Sequence, residues 1–328
     1  MGKPKVDPVV WQPPKLSLRS TPKSNLPELT ILQVNGRGTE DVLVSEHGSV
    51  YTGVEDGRIL RLTADGRRLD TVADTGGRPL GLEFYPDGRL LVCDASRGLL
   101  LADRTSGELE TLVPRGDDLR VCNNAAVAAD GTVYFTDSTS RFDLDHYTAD
   151  LIEHSGTGRL LRRVPSGDVT VLLDGLQFAN GVALAPDESY VVVAQTGSYR
   201  LDKVWLTGSR AGADEALVEN LPGFPDNIAT GSDGLIWVAL ASPRNRLLDR
   251  AHRMNPLLRK GIWALPEAVR PKERACIWVR AVDGDTGRTV HEYYGKRDDF
   301  HMVTGVREHK GTVYLGSLHR RAVASFSR

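Results

Sequence analysis

An all-β chain is predicted: a six-bladed β-propeller with short helical insertions on one face. Three observations predict it. First, a polar residue opens an apolar strand and is followed eight positions later by a chain reversal: Glu40 and Gly48, Asn123 and Gly131, Asn180 and Glu188, Asp226 and Gly234. Second, the reversals fall at 48, 88, 131, 188, 234 and 311, so the steps are 40, 43, 57, 46 and 77. A period near 40 to 45 with several short strands per unit is the pattern of propeller blades, and six reversals give six blades. Third, the strands after the reversals alternate and are bounded by turns, as in Ser49-Val-Tyr-Thr-Gly53, Thr132-Val-Tyr-Phe-Thr136 and Thr312-Val-Tyr-Leu-Gly316.

The elements follow in order. Residues 1–28 are rich in Pro and Lys, ladder poorly, and are expected to form an extended N-terminal arm. The propeller is expected over 29–328. Leu29-Thr-Ile-Leu-Gln-Val34 is the first strand-like run, predicted to complete the last blade beside Arg321-Ala-Val-Ala-Ser-Phe326 and so leave no free edge. The two long steps hold insertions at about 141–156 and 242–275. In the first, Leu144, Tyr147, Leu151 and His154 lie at helical spacing. In the second, Arg246 to Met254 reads as helix until Pro256 interrupts it. Insertions between strands gather on one face, where a site is expected.

Composition sets the outer limits. The 328 residues carry a net charge of −2, which offers no case for nucleic acid or an acidic membrane. The 33 glycines suit many tight turns. Cys93, Cys122 and Cys276 form no disulfide framework and favour a reducing compartment. The N-terminus has no long apolar core, so neither a signal peptide nor a membrane span is read there. A soluble, cytoplasmic protein acting on a small molecule is the expectation; composition says nothing of its oligomeric state.

In a propeller the inner strands run along the central channel, so the register residues Glu40, Asn123, Asn180 and Asp226 should converge there. Two carboxylates and two amides are hard oxygen donors that balance a divalent cation. No Cys or His shares the register, which argues against zinc. Calcium, tolerant of irregular oxygen shells, suits the set better than magnesium, though another divalent cation could serve. Each residue taken singly also reads as a turn or strand-start residue; the shared register lifts the set above that reading.

Several stretches resemble a known superfamily: Gly76-Gly-Arg-Pro-Leu-Gly-Leu82, Tyr134-Phe-Thr-Asp-Ser138, Phe178-Ala-Asn-Gly-Val182, Phe224-Pro-Asp-Asn-Ile228 and Glu308-His-Lys-Gly-Thr-Val-Tyr-Leu-Gly316. They are similar to the six-bladed calcium-dependent propellers that include gluconolactonase (senescence marker protein), paraoxonase, squid-type phosphotriesterase and strictosidine synthase. Within these they look most like the strictosidine-synthase-like branch that includes adipocyte plasma-membrane-associated protein. The resemblance places calcium ligands on Glu40, Asn123, Asn180 and Asp226, and gives Asp226 a second, catalytic role. It implies a calcium-dependent hydrolase of a lactone or ester. Two departures limit it. Leu80 stands where paraoxonases carry a catalytic His, and Thr304 stands where strictosidine synthase carries its catalytic Glu, which disfavours a condensing enzyme. A non-catalytic propeller with a structural calcium is the remaining alternative.

Further candidates keep two readings each. Asn124 and Asn227, next to ligands, are supporting partners or turn residues. His154 is a general acid or base, or a packing residue. Tyr147, Phe178 and Met302 are pocket lining, with Phe178 equally a core residue. Cys122 reads as an inert buried thiol.

Overall fold

The computed structural model describes residues 3–16, 22–266, 270 and 273–328. Six four-stranded antiparallel sheets occupy residues 43–74, 79–114, 122–176, 179–218 and 223–295, with the sixth built from 303–327 and Thr30–Gln33. The first strand pairs with the last, Thr30 opposite Ser325 and Gln33 opposite Ala322, so the ring closes as the sequence predicts. Closure pairs an edge that would otherwise present bare N–H and C=O groups.

Why six repeats turn alike is visible at the reversals. Gly48, Gly88, Gly131, Gly234 and Gly311 all have positive φ between 76° and 89°, and Glu188 takes φ 58° in the same place. Glycine reaches this conformation at no steric cost, whereas a glutamate is strained there. In return, a Glu188 carboxylate oxygen accepts from the Ala129 N–H of the neighbouring blade at 2.7 Å. Between blades the strands interdigitate: Val192, Leu201, Val238 and Trp278 join blades four and five, and Trp237, Ile277, Val306 and Phe326 join five and six.

The insertions are helical where expected, with two differences. The first forms a short 3-10 turn and then α1 (Tyr147–Glu153), which ends in a left-handed cap at His154 with φ 59°. Among the described residues the second holds two helices, α2 (Arg246–Arg253) and α3 (Pro256–Ala264). Pro256 therefore does not end a helical region; it begins a helix. A proline lacks only an N–H that the first turn leaves unpaired, and Asn255 caps that turn by accepting from the Leu257 N–H at 2.9 Å. No helix among the described residues is long and apolar enough to cross a membrane.

The described arm residues 3–16 and 22–28 form no helix or strand, and residues 4–11 join the two insertions into one lid. Val9 N–H donates to the Glu153 carbonyl at 2.9 Å, and Trp11 N–H to the His252 carbonyl at 3.1 Å. Trp263 Nε1 donates to the Pro4 carbonyl at 2.7 Å. Val6 packs among Phe142, Ala149, Ile152 and Trp263, which belong to both insertions. Arg259 of α3, fully buried, donates to the carbonyls of Ile152 at 2.8 Å and Val9 at 2.6 Å.

Candidate metal centre and its lid

The inner strands are kinked at the register residues. Strand pairing slips between Pro79 and Leu82, Cys122 and Ala125, Ala179 and Val182, Pro225 and Ile228, and Val303 and Val306. Each slip is a β-bulge holding two residues, and bulges re-aim side chains that regular alternation would send to opposite faces. The bulge pairs are 80–81, 123–124, 180–181, 226–227 and 304–305, with 40–41 preceding the inner strand of blade one. Every ligand candidate is the first member of its pair.

Glu40, Asn123 and Asn180 are buried, while Asp226 keeps partial exposure. The two carboxylates sense each other. Burial pushes Asp226 well above the usual carboxylate range, and the Glu40 charge adds to this; hydrogen bonding from Asn180 and the Asn227 N–H opposes it. Burial lifts Glu40 to about 6, against the pull of Arg78, whose guanidinium lies 3.5 Å away. The amides are held at one end only. Asn123 Nδ2 donates to Ser138 Oγ at 2.8 Å, and Asn180 Nδ2 donates to Thr196 Oγ1 at 3.1 Å. Both Oδ1 atoms are buried without a partner. A buried carbonyl oxygen without a donor is costly. These two oxygens, at the register position shared with two mutually repelling carboxylates, give a donor chemistry that would suit a divalent cation, and calcium's oxygen preference fits it. No group of three or more His, Cys, Asp or Glu is placed to hold a metal among the described residues, so the amides are essential to this set.

The second bulge residues form a pattern the sequence reading missed. Going round the ring they are Asp41, Gly81, Asn124, Gly181, Asn227 and Gly305, polar and glycine in alternation. A Cβ on Gly81 would lie 2.7 Å from Asn124 Cα, one on Gly305 2.7 Å from Asp41 Cα, and one on Gly181 2.2 Å from the Ile228 nitrogen. Each glycine thus admits the neighbouring polar residue. Asp41 accepts from the Leu82 N–H at 3.1 Å and from Asn124 Nδ2 at 3.4 Å; Asn124 Oδ1 accepts from the Val182 N–H at 2.9 Å. Asn124 is therefore an inter-blade tie, and Asp41 is its unforeseen partner. Asn227 is buried with neither side-chain atom partnered. Reading one residue past each register position would have shown the alternation.

The lid supplies the remaining candidates. Tyr147 of α1 sits near the carboxylates: its hydroxyl donates to Glu273 Oε1 at 2.8 Å, its ring is 6.4 Å from Phe178, and its pKa is raised by burial and by the charges of Glu273, Asp226 and Glu40. Phe178 and Met302 are buried, each two residues before a register position, in left-handed conformations at φ 57° and 56°. Thr304 Oγ1 donates to the Glu40 carbonyl at 2.8 Å, which ties the ring's seam. Leu80 packs with Ala95, Val121 and Leu144 under the lid. Cys122 is buried and its thiol is pushed up by burial and by Cys93, as an inert group should be.

His154 is not brought to the carboxylates. Its ring stacks on Trp11 at 4.0 Å and meets His252 at 5.1 Å, and burial with the nearby Arg259 charge holds its pKa at about 3. It packs the arm against the lid. One further acid was overlooked: Asp150 of α1 is buried, with burial lifting it to about 7, but the charges acting on it are Glu153 and Arg141 inside the lid.

Comparison with known proteins agrees with this architecture. The strictosidine synthase family matches residues 123–209, and the strictosidine synthase-like N-terminal family matches 24–62. Adipocyte plasma membrane-associated protein of Salmo salar is 35% identical over 82% of this chain and 70% of its own. Strictosidine synthase-like protein 6 of Arabidopsis thaliana is 34% identical over 85% and 76%. In solved structures, a gluconolactonase of Xanthomonas campestris superposes with a TM-score of 0.66 over 98% of this chain and 96% of its own, at 17% identity, a likeness of fold. With relatives 34–35% identical over more than four-fifths of its length, the chain belongs to the strictosidine synthase-like family of six-bladed propellers, the family of adipocyte plasma membrane-associated protein.

Proposed function

We propose that this propeller is a calcium-dependent hydrolase of a lactone or ester. One observation carries the reading: the Glu40 charge acts on Asp226, and the Oδ1 atoms of Asn123 and Asn180, at the same register position in their own blades, are buried without a partner. Glu40, Asn123, Asn180 and Asp226 would hold the ion. When bound, calcium supplies a positive field for the carbonyl oxygen that gains charge during acyl transfer. Asp226, the partly exposed member of the set, faces the substrate and takes the proton of the attacking water, or attacks itself. Tyr147 and the lid above it exclude bulk water and shape the entrance. Structural neighbours described as gluconolactonases and as a calcium-binding regucalcin support this reading at the level of fold. No carboxylate stands at Thr304, and its hydroxyl is engaged by the Glu40 carbonyl, which favours hydrolysis over a condensation needing an acid there. The three buried, unpaired cysteines support a cytoplasmic setting.

The test is turnover. A panel of lactones and carboxylic esters is offered to purified protein with and without a chelator, with circular dichroism followed in parallel. Turnover that vanishes on chelation in folded protein and returns with calcium is the expected result. Turnover indifferent to complete metal removal overturns the proposal.

A further inference from the structure

An asparagine can bind a cation only through its oxygen, yet its amide can sit either way round. Something must choose. Asn180 Nδ2 donates to Thr196 Oγ1 at 3.1 Å, and the same hydroxyl donates its own proton to the Pro225 carbonyl at 2.7 Å. The proton count decides the orientation. A threonine hydroxyl has one hydrogen. The Pro225 carbonyl is an acceptor only, so it takes that hydrogen, and Thr196 Oγ1 can then only accept from Asn180. The amide must turn its NH2 to Thr196 and its oxygen to the channel. Turning it round would face two oxygens with no hydrogen between them.

Blade three repeats the amide–hydroxyl contact, with Asn123 Nδ2 donating to Ser138 Oγ at 2.8 Å. Ser138 and Thr196 are structural equivalents. Each opens the stretch after the second strand of its blade, and each backbone N–H donates to the carbonyl two residues before the register residue, Val121 or Phe178. The corresponding places in the other blades are Glu55, Ala95, Ala241 and Leu318. A hydroxyl therefore occurs only in the two blades whose register residue is an asparagine. Glu40 and Asp226 present an oxygen either way and need no such partner. Thr196 also does more than orient: Pro225 directly precedes Asp226, so one buried hydroxyl links the ligand of blade four to the backbone that carries the ligand of blade five.

We propose that Thr196, with Ser138 as its counterpart, is a positioning residue that locks the Asn180 and Asn123 amides oxygen-inward and thereby makes them calcium ligands. This rests on the calcium reading above. Both locks are buried at 6% and 0% exposure, so water cannot replace the lost hydroxyl without a cavity. Outer partners that orient metal ligands commonly change metal affinity by about 10–100-fold when removed.

Calcium titration calorimetry on the full chain tests it, with melting in chelator as the companion measurement. Thr196→Val keeps the shape and removes the hydroxyl; Thr196→Ser keeps the hydroxyl. The expected result is calcium affinity weakened by about 10–100-fold in Thr196→Val and Ser138→Ala, with Thr196→Ser close to wild type. Thr196→Val binding calcium as wild type does, or Thr196→Ser losing as much as Thr196→Val, overturns the lock. If Thr196→Val fails to melt cooperatively in chelator, Ser138→Ala decides on the same criterion. Wild-type binding that Glu40→Gln abolishes but the hydroxyl variants leave unchanged sinks the lock alone. A wild-type protein that binds no calcium sinks the site and the lock together.

Discussion

The lid should fail in acid, and two histidines set how steeply. His154 is 4% and His252 1% exposed, and both are packed against Trp11. Burial and Arg259 hold His154 at about 3; burial, His154 and Arg259 hold His252 at about 2. His252 Nδ1 lies 2.9 Å from the Arg259 guanidinium, so it serves as an acceptor, and protonation would set two cations face to face. Also near are Glu153, whose carboxylate binds the Asp7 N–H and Arg141, and Asp249, paired with Arg244 and Tyr199. None of these contacts either imidazole. In the unfolded chain a histidine titrates near 6.5. Below that pH the unfolded state binds a proton that the folded state refuses, so stability is intact above pH 6.5 and falls as pH drops toward 3. The slope is about 1.36 kcal/mol per pH unit for each histidine. From pH 7 to pH 5, His154 alone therefore removes about 2 kcal/mol.

Buried acids such as Asp150 and Asp41, lifted to about 7 and about 6, move stability the other way over the same range. The clean observable is therefore a difference. His154→Asn suits the left-handed cap, since asparagine tolerates positive φ. It removes the titration while leaving those acids in place. Urea denaturation of wild type and variant at pH 7 and pH 5 gives the comparison. The variant should lose about 2 kcal/mol less than wild type between the two values, whatever its stability at pH 7. Equal losses in both proteins would refute the reasoning, because His154 would then be titrating normally in the folded state.

Other outcomes follow from the ring and the site. Deleting residues 1–34 removes both the lid strap and the strand opposite Ala322–Ser327, and should abolish solubility or cooperative melting; a truncated protein that melts like the whole chain contradicts ring closure. Asp226→Asn, saturated with calcium, should lose about 10² to 10⁴-fold in turnover of a verified lactone or ester. Wild-type turnover in that variant leaves Asp226 as a ligand only. Glu40→Gln should instead regain activity as calcium is raised. Gly181→Ala puts a Cβ 2.2 Å from a backbone nitrogen and should cost at least about 1–3 kcal/mol by denaturation midpoint, whereas Gly116→Ala, with nothing within 4 Å, should be nearly neutral. Equal midpoints for the two variants would contradict the alternating bulge pattern.

The blade count and the register of bulge positions were legible in the amino-acid order because both depend on local rules. A positive-φ reversal asks for glycine within a few residues of the strand it ends, and a bulge residue keeps a constant distance from that reversal. Glu40, Asn123, Asn180 and Asp226 could thus be found by an interval of eight without knowing what they face. Asp41 was legible in principle, since it stands beside Glu40, but its role needs partners 41 and 83 positions away. His154 shows the limit. Helical spacing put it on the first insertion, and an imidazole on the lid face suited acid–base chemistry. Its neighbours are Trp11 and His252, from an arm and a helix roughly a hundred residues or more distant in either direction. The first helix stops before Pro256 as read, but the helix that Pro256 opens was not foreseen, because that depends on Asn255 capping the turn that follows. Spacing along the chain records which residues share a position in a repeat. Burial, protonation and the direction of an amide come from atoms that only the closed ring brings together.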